Sequence, residues 1–501
     1  MITLVHIPTG LATPEIEIML SRAQAGIDKG EDVIVVGCPG TKSYACSFNI
    51  YGLAPICYVC KQQRSRGVEK LRGRFTYLES PTIHPDQDTA PLLNAEIKDR
   101  WAIKSRTYRS VDVGQAAYSS YVGLARDLDL EGALAWLSLK KLIDTARLLS
   151  EYWFDLLKEK KVNRVILYNG RQNQNRPLLR VSRLLGIEVE IMEHSGLHAS
   201  CVYTFKNCLP QDLGNLASLM DRCWEEFVGD REEIARQYFE YKRQGGAIND
   251  RSYVLGQVPG LLPEGWDQSK RNVVIFNSSE DEFAAVGGEF DETVYQSQTD
   301  AIARVCDALR NEPAIRICLR IHPNLDGVQW SFSVKLLELG KLYPNVVVVP
   351  PESPISTYAL LEACDVAVSF GSTIGIEAAY WGKPSILAGR CAYERTGSVY
   401  VPSSHDELIV LLKDSSLRGL PSLGAKKAAL FWSRGGSAID HFGGTRARGF
   451  TFRGQHIGKR AIDKALYLLF KAIERWLLGK FINCYIGMMR IAFRRRFGLL
   501  C

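Results

Sequence analysis

Apolar positions along this chain fall into two kinds of stretch. Short unbroken runs, Ile2–Ile7 and Asp32–Gly37, bracket a Gly/Pro-containing loop (8–14) and a helix-spaced segment that reaches Lys29. Runs without alternation mark strands covered on both faces, as in parallel sheets. The pattern returns at Arg164–Tyr168, a helix over Arg176–Leu185 and a strand over Val189–Met192. A second series follows, with strands predicted at Asn272–Phe276, Ile315–Ile321, Asn345–Val349, Asp365–Ser369 and Pro384–Leu387. Strands alternating with helices predict doubly wound parallel sheets. Two series predict an α/β chain of two such lobes facing across a cleft, since open α/β sheets bind ligands outside the carboxyl ends of their strands. The expected division is a first lobe at 1–210 with inserted helices at about 85–160, a helical linker at 211–266, a second lobe at 267–423, and a crossover with a helical tail at 424–501.

Composition fits this reading. A length of 501 residues exceeds one ordinary core, and 46% hydrophobic with 23% charged residues is ordinary globular usage. The first residues, Met1–Ile7, lack the basic and long apolar regions of a secretion signal and read as a strand. The 13 cysteines are scattered, several in apolar runs (Cys38, Cys318, Cys364), which suggests reduced thiols and a cytosolic setting. One C-x-x-C, Cys57 and Cys60, lies in the run Ile56–Cys60. Read as a strand, it points the two thiols to opposite faces, and no metal or redox role is assigned to it.

Charge is unevenly placed. Residues 459–501 hold ten Lys/Arg against Asp463 and Glu474, a net +8, while the whole chain is +7. The body is neutral and the tail cationic, so a nucleic-acid-binding surface is not expected. Apolar residues at 462, 465, 466, 469, 470, 473, 476 and 477 have helical spacing, but Lys480 and Arg490 interrupt any run long enough to span a bilayer. The tail reads as interfacial helices on an anionic membrane surface, or as a terminal helix packed back on the first lobe.

Candidate chemistry clusters at predicted strand ends. In Ser369–Pro384, Gly371 permits a tight turn, Ser372 or Thr373 can cap the next helix, and the amides there form an anion site. Glu377, one turn in, either accepts from ribose hydroxyls or is solvated. Arg320 and His322 share a strand face before Pro323, where an imidazole can donate to a phosphate oxygen. Ser278 and Ser279 open a loop followed by acids that cap a helix. In the first lobe, Asn169-Gly170-Arg171 and Glu193-His194-Ser195-Gly196 end strands. Arg171, Arg176 and Arg180 make that region basic. Asp127-Leu128-Asp129 fits a metal-binding D-x-D but not at a strand end, so metal dependence is not expected.

The S-S-E-D-E loop at 278–282, the strand-end His322-Pro323 and the run S-x-G-S-T-x-x-x-E-A-A-x-x-G-K-P resemble bacterial capsule and surface-polysaccharide glycosyltransferases of the GT-B type, well over 270–410 and loosely before. The resemblance implies two Rossmann-like lobes and a nucleotide-sugar donor held by the second. His322, Ser372 and Thr373 would contact its phosphates, with Ser278, Ser279, Arg320, Gly371 and Glu377 around them. It implies an acidic general base whose nearest match is Glu193, one residue longer than the family's D/E-D/E-G, with His194 as the next candidate. Asn169 and Arg171 would hold acceptor. No cofactor or metal is expected, helix dipoles and side chains standing in for the ion. The expected enzyme is a hexosyl-, sialyl- or Kdo-type transferase building a cell-surface polysaccharide or glycolipid, peripheral on the inner face of the cytoplasmic membrane. Three alternatives stay open: a CDP-polyol phosphotransferase, a nucleotide-sugar epimerase of the same fold, and a non-catalytic assembly protein.

Overall fold

The computed structural model describes residues 1–477 apart from 41–44, 82–98, 127, 129, 131–132, 196, 248–251, 291–293, 296, 328–330, 446 and 459–460. Two compact units emerge. One comprises 1–210, 284–287 and the chain from 436 through the last described helix; the other comprises 211–283 and 288–435.

In the first unit the order is β1 (Ile2–Ile7), α1 (Glu15–Asp28), β2 (Asp32–Gly37), α2 (Ala54–Val68), β3 (Thr76–Glu79), α3 (Arg100–Lys104), α4 (Val113–Ala125), α5 (Ala133–Glu159), β4 (Arg164–Tyr168), α6 (Arg176–Leu184), β5 (Glu188–His194) and β6 (Cys201–Lys206). β1 lies at the centre, parallel to β2 on one side and β4 on the other, with β3 and β5 continuing the parallel sheet outward. β6 adds antiparallel to β5. The uninterrupted apolar run of β1 is explained by its two covered faces: Leu4, Val5 and Ile7 are all buried.

The second unit holds α7 (Leu213–Glu226), α8 (Arg231–Arg243), β7 (Arg271–Phe276), α9 (Glu280–Ala284), α10 (Gln298–Ala308), β8 (Ile315–Arg320), α11 (Ser331–Leu342), β9 (Val346–Val349), α12 (Thr357–Ala363), β10 (Val366–Ser369), α13 (Ile374–Tyr380), β11 (Ser385–Leu387), α14 (His405–Lys413) and α15 (Leu423–Arg434). Its five strands run β11-β10-β7-β8-β9, all parallel. The order reverses at β7, so the loops after β7, β8 and β10 crowd together at one sheet end. The chain is therefore α/β, with two doubly wound Rossmann-like lobes.

After α15 the chain returns to the first unit with β12 (Ser437–Ala438), a hairpin of β13 (Phe442–Thr445) and β14 (Gly449–Phe452), and α16 (Ala461–Leu477). β12 pairs with β6 at the sheet edge. Phe442, Phe450 and Phe452 of the hairpin join the core beneath α1. One side of α16 packs on α2: Leu466, Tyr467 and Phe470 meet Leu11, Ile56 and Val59, and Asp463 pairs with Arg66 at 3.1 Å. Its other side leaves Leu468 and Leu469 each 57% exposed. The described part of the tail thus packs back on the first unit and still carries an outward apolar strip. The tail beyond 477, residues 82–98 of the helical insertion, and both Asp127 and Asp129 lie outside the described residues.

One sequence expectation fails here. The run Ile56–Cys60 is not a strand but the start of α2. Pro55 sits in the helix's first turn, where its missing N–H costs nothing. The buried positions that follow, Ile56, Val59, Gln63 and Gly67, recur at helical spacing. Cys57 and Cys60 are therefore one turn apart on neighbouring positions of one helix side, not on opposite faces.

Candidate active site

In the second unit, hydrogen bonds knit the crowded loops. Asn277 Oδ1 accepts from the His322 amide (2.8 Å), and Asn324 Nδ2 donates to Ser279 Oγ (3.1 Å), joining the loops after β7 and β8. Ser278 Oγ donates to the Phe370 carbonyl (2.6 Å) and accepts from Gln298 Nε2 (2.8 Å), joining β7 to the end of β10. The Ser278 hydroxyl proton is thus committed to a carbonyl, which makes this residue a brace where the sequence suggested a phosphate contact. Ser279 keeps its own proton to donate.

His322 is set for one role. Its Nδ1 accepts from the Asn324 amide (3.1 Å), so the proton of a neutral ring sits on Nε2. Burial, and then the charges of Arg320 and Lys242, push its pKa down to about 4. The ring is neutral at pH 7 and remains a donor through Nε2. Tyr253 packs edge-on against it at 4.7 Å. Arg320, the last residue of β8, is 2% exposed. Its Nη1 donates to the Pro350 carbonyl, while buried Nε and Nη2 have no hydrogen-bond partner among the described residues. Burial lowers its pKa to about 10, which still leaves a full positive charge at neutral pH. A buried cation with two unspent donors wants an anion.

The loop from β10 into α13 differs in detail from expectation. Gly371 adopts φ +76°, as its turn requires. A Cβ on Gly375 would lie 2.3 Å from Ser369 Oγ and 2.5 Å from the Tyr393 hydroxyl, so only glycine fits. Thr373 makes no side-chain cap, and Ser372 Oγ reaches the Ile374 amide only at 3.5 Å. The amides of Gly375 and Ile376 close onto the Ser372 and Thr373 carbonyls. Glu377 is neither solvated nor open: at 2% exposure it accepts from Tyr358 (2.5 Å) and Thr373 Oγ1 (3.2 Å) and pairs with Lys242 (3.2 Å). It ties α8, α12 and α13 together.

In the first unit, Asn169 at φ +58° and Gly170 at φ +86° turn the chain sharply after β4. That turn lets Asn169 Nδ2 donate to Glu193 Oε2 (2.6 Å), while the Tyr168 hydroxyl donates to Oε1 (3.3 Å). Asn169 Oδ1 is buried without a partner among the described residues. Burial raises the Glu193 pKa, against the lowering pull of the Asn169 bond and of Arg171. His194 is the next residue of β5 and faces the other side. Its Nε2 contacts the Ala199 carbonyl (2.8 Å), and its ring packs edge-on against Phe450 and Phe442. The structure separates the two base candidates. Arg176 and Arg180 both clasp Asp112 at 2.6–3.0 Å and, against burial that would raise it, hold its carboxyl at about 2.

Two carboxylates went unread in the sequence. Glu15 and Glu17 occupy the first turn of α1, after the loop from the central strand. Burial, and then the charges of Glu193 and Glu17, push Glu15 up to about 8. Its buried Oε1 has no partner among the described residues. Burial likewise raises Glu17 to about 7, although Thr13 donates to it at 3.0 Å. Acids in a first helical turn normally signal only the macrodipole, which is why they passed unremarked.

No three His, Cys, Asp or Glu side chains meet in metal-binding geometry among the described residues. No helix there is long and apolar enough to cross a membrane.

No family model and no curated protein matches the sequence. Among solved structures, the chain is similar to the beta-Kdo 2,4 transferase KpsC of Thermosulfurimonas dismutans, at 15% identity and TM-score 0.34, over 54% of this chain and 79% of that one. It is also similar to the UDP-GlcNAc 2-epimerase of Methanocaldococcus jannaschii, at 11% identity and TM-score 0.28, over 87% and 99%. A third is the glycosyltransferase SsfS6 of Streptomyces sp. SF2575, complexed with thymidine diphosphate, at 11% identity and TM-score 0.22, over 86% and 95%.

Proposed function

We propose that this chain is a glycosyltransferase that moves a sugar from a nucleotide-sugar to a surface-polysaccharide or glycolipid acceptor, with no metal ion at the diphosphate. The observation that carries the reading is the pair at the end of β8: a neutral His322 whose proton is fixed on Nε2, beside a buried Arg320 with two unspent donors. Both suit the phosphate oxygens of a departing nucleotide, where fixed donors and a positive charge stabilise the negative charge that develops. Ser279 and Ser372 on the same loops are further donors, while the Thr373 hydroxyl is held by Glu377.

The first unit holds a candidate general base for the reaction. Glu193, with its pKa raised, is a stronger base than an exposed carboxylate. It takes the acceptor hydroxyl proton as the new C–O bond forms and the bond from the sugar carbon to phosphate breaks. Glu15, protonated at neutral pH by its raised pKa, stands close enough to feel the Glu193 charge. Asn169 Oδ1, which has no partner among the described residues, and Arg171, whose charge reaches Glu193, would orient the acceptor.

Association with an anionic inner membrane face belongs to the same proposal. It is supported by the outward apolar strip of α16 and by the cationic sequence of 459–501.

The test is Glu193→Gln in the full chain. Transfer to a glycan acceptor should fall by about 100-fold or more, the usual worth of a positioned base, while nucleotide affinity stays unchanged. Transfer that persists within a few-fold of wild type would remove Glu193 from the reaction.

A further inference from the structure

An apolar cavity opens at the carboxyl end of the first unit's sheet. Pro8, Cys38 and Ser80 line it, and each is the first residue past a strand, β1, β2 and β3 in turn. Leu11, Phe48, Ile56 and Leu149 add carbon to the wall, with several cysteine thiols between them. The empty space is about 620 Å³, counted with the solvent at its mouth, which is within the usual range for a ligand pocket. Polar groups of the wall are mostly spent on the protein itself. His6 Nδ1 meets Asn175 Oδ1 (2.9 Å), and Thr9 Oγ1 accepts from the Leu11 amide (3.0 Å). Thr145 Oγ1 donates to the Lys141 carbonyl (2.9 Å), and Asn49 Nδ2 to the Leu53 carbonyl (2.9 Å). The surface left facing the cavity is mainly carbon and sulfur.

Protein interiors pack densely, and an unfilled apolar space costs stability. A polar ligand gains little from walls whose donors and acceptors are already taken. A hydrocarbon gains with every methylene it buries. The surroundings of the cavity show where such a chain enters and where its other end lies. Leu11, Phe48, Ile56 and Cys60 belong both to the cavity wall and to the cluster that seats Leu466, Tyr467 and Phe470 of α16. Lys471 pins the helix there by donating to the Phe48 carbonyl (2.7 Å). The same helix carries the outward apolar strip of Leu468 and Leu469. The loop that gives Pro8, Thr9 and Leu11 to the wall runs on into α1 at Glu15, which feels the charge of Glu193.

We propose that this cavity takes the hydrocarbon chain of a lipid-linked acceptor, which enters from a membrane surface along α16 and directs its sugar toward Glu193. Given the transferase reading, on which this rests, the acceptor is a glycolipid rather than a free glycan. Gln174 Oε1, a lining acceptor with no partner among the described residues, is available to a hydroxyl of that glycolipid.

The test uses the full chain and n-alkyl β-glucosides from ethyl to decyl, kept below micelle formation. Calorimetric affinity should rise about fourfold per added methylene, the worth of burying one CH2, until the cavity is full. Thiol alkylation with peptide mapping locates the chain without any substitution. Decyl glucoside should slow modification of Cys46 and Cys60, which line the cavity, and leave Cys223 of the other unit unchanged. Leu149→Trp, which fills the space, should weaken decyl glucoside by about tenfold or more, while the Leu468→Ser, Leu469→Ser double variant should bind it as wild type does. Affinity that ignores chain length, or rises with it while Cys46 and Cys60 stay unprotected, would overturn the proposal. So would decyl phosphocholine protecting as well as decyl glucoside, which would give the cavity to a membrane lipid. Titration of the same protein with UDP, GDP and CMP separates the two readings. Nucleotide binding without chain binding removes only this acceptor site, and chain binding without nucleotide binding removes the transferase.

Discussion

Glu15 and Glu17 give the first unit a pH signature of definite sign. Their folded pKa values, about 8 and about 7, lie above the ordinary 4.5. The folded state therefore holds protons that the unfolded chain has released, and this contribution, full below 4.5, is lost as pH rises through 7 to 8. His6 and His322 act oppositely. Burial, the largest cause for each, pushes them to about 3 and about 4, so the unfolded chain protonates first as pH falls below 6.5. Thermal stability should peak between these limbs. Glu15→Gln should raise the melting temperature at pH 8 and flatten the alkaline limb, while leaving the acid limb alone. An alkaline limb identical to wild type would mean that Glu15 ionises normally. Gly375→Ala tests packing at the same scale: its Cβ has Ser369 and Tyr393 in its way, and about 1–3 kcal/mol of stability should be lost by chemical denaturation. These residues also mark what the sequence could and could not disclose. His322 was legible because a histidine before proline at a strand end is locally conspicuous. The Glu15–Glu193 neighbourhood was not, because it joins a helix start to a strand end far along the chain.

At the scale of elements, the central strands could be read because burial on both faces leaves them uniformly apolar, as in β1 and β7. The edges could not. β3 is half-exposed Thr-Tyr-Leu-Glu, and β6 alternates too weakly to stand out. α2 was misread because Ile56–Cys60, a five-residue apolar cluster, fits strand and helix alike, and only the spacing of the buried positions beyond it decides. α16 is packed inward by Leu466 and Phe470, as one of the two tail readings expected, and is apolar outward at Leu468 and Leu469. The full chain should sediment with vesicles containing phosphatidylglycerol, more weakly at high salt, and much less with phosphatidylcholine alone. Replacing Leu468 and Leu469 by Ser should weaken that binding without unfolding the protein, since neither belongs to the buried face. Equal sedimentation of the double variant would assign the membrane contact elsewhere or nowhere.

At the scale of the molecule, two series of apolar runs gave the α/β class and the two doubly wound lobes, because each series needs its own sheet. The return of the chain after 436 to pair β12 with β6 was not legible: a two-residue exposed strand has no hydrophobic pattern. The central claim is that the second unit binds a nucleotide through the end of β8. Calorimetric titration of the full chain with UDP, GDP and CMP, repeated on His322→Ala, tests it most directly. One nucleotide should bind, and the substitution should weaken it about tenfold to a hundredfold, the worth of a hydrogen bond to a charged phosphate. A folded wild-type protein that binds none of the three, or a variant that binds as tightly as wild type, would contradict the account.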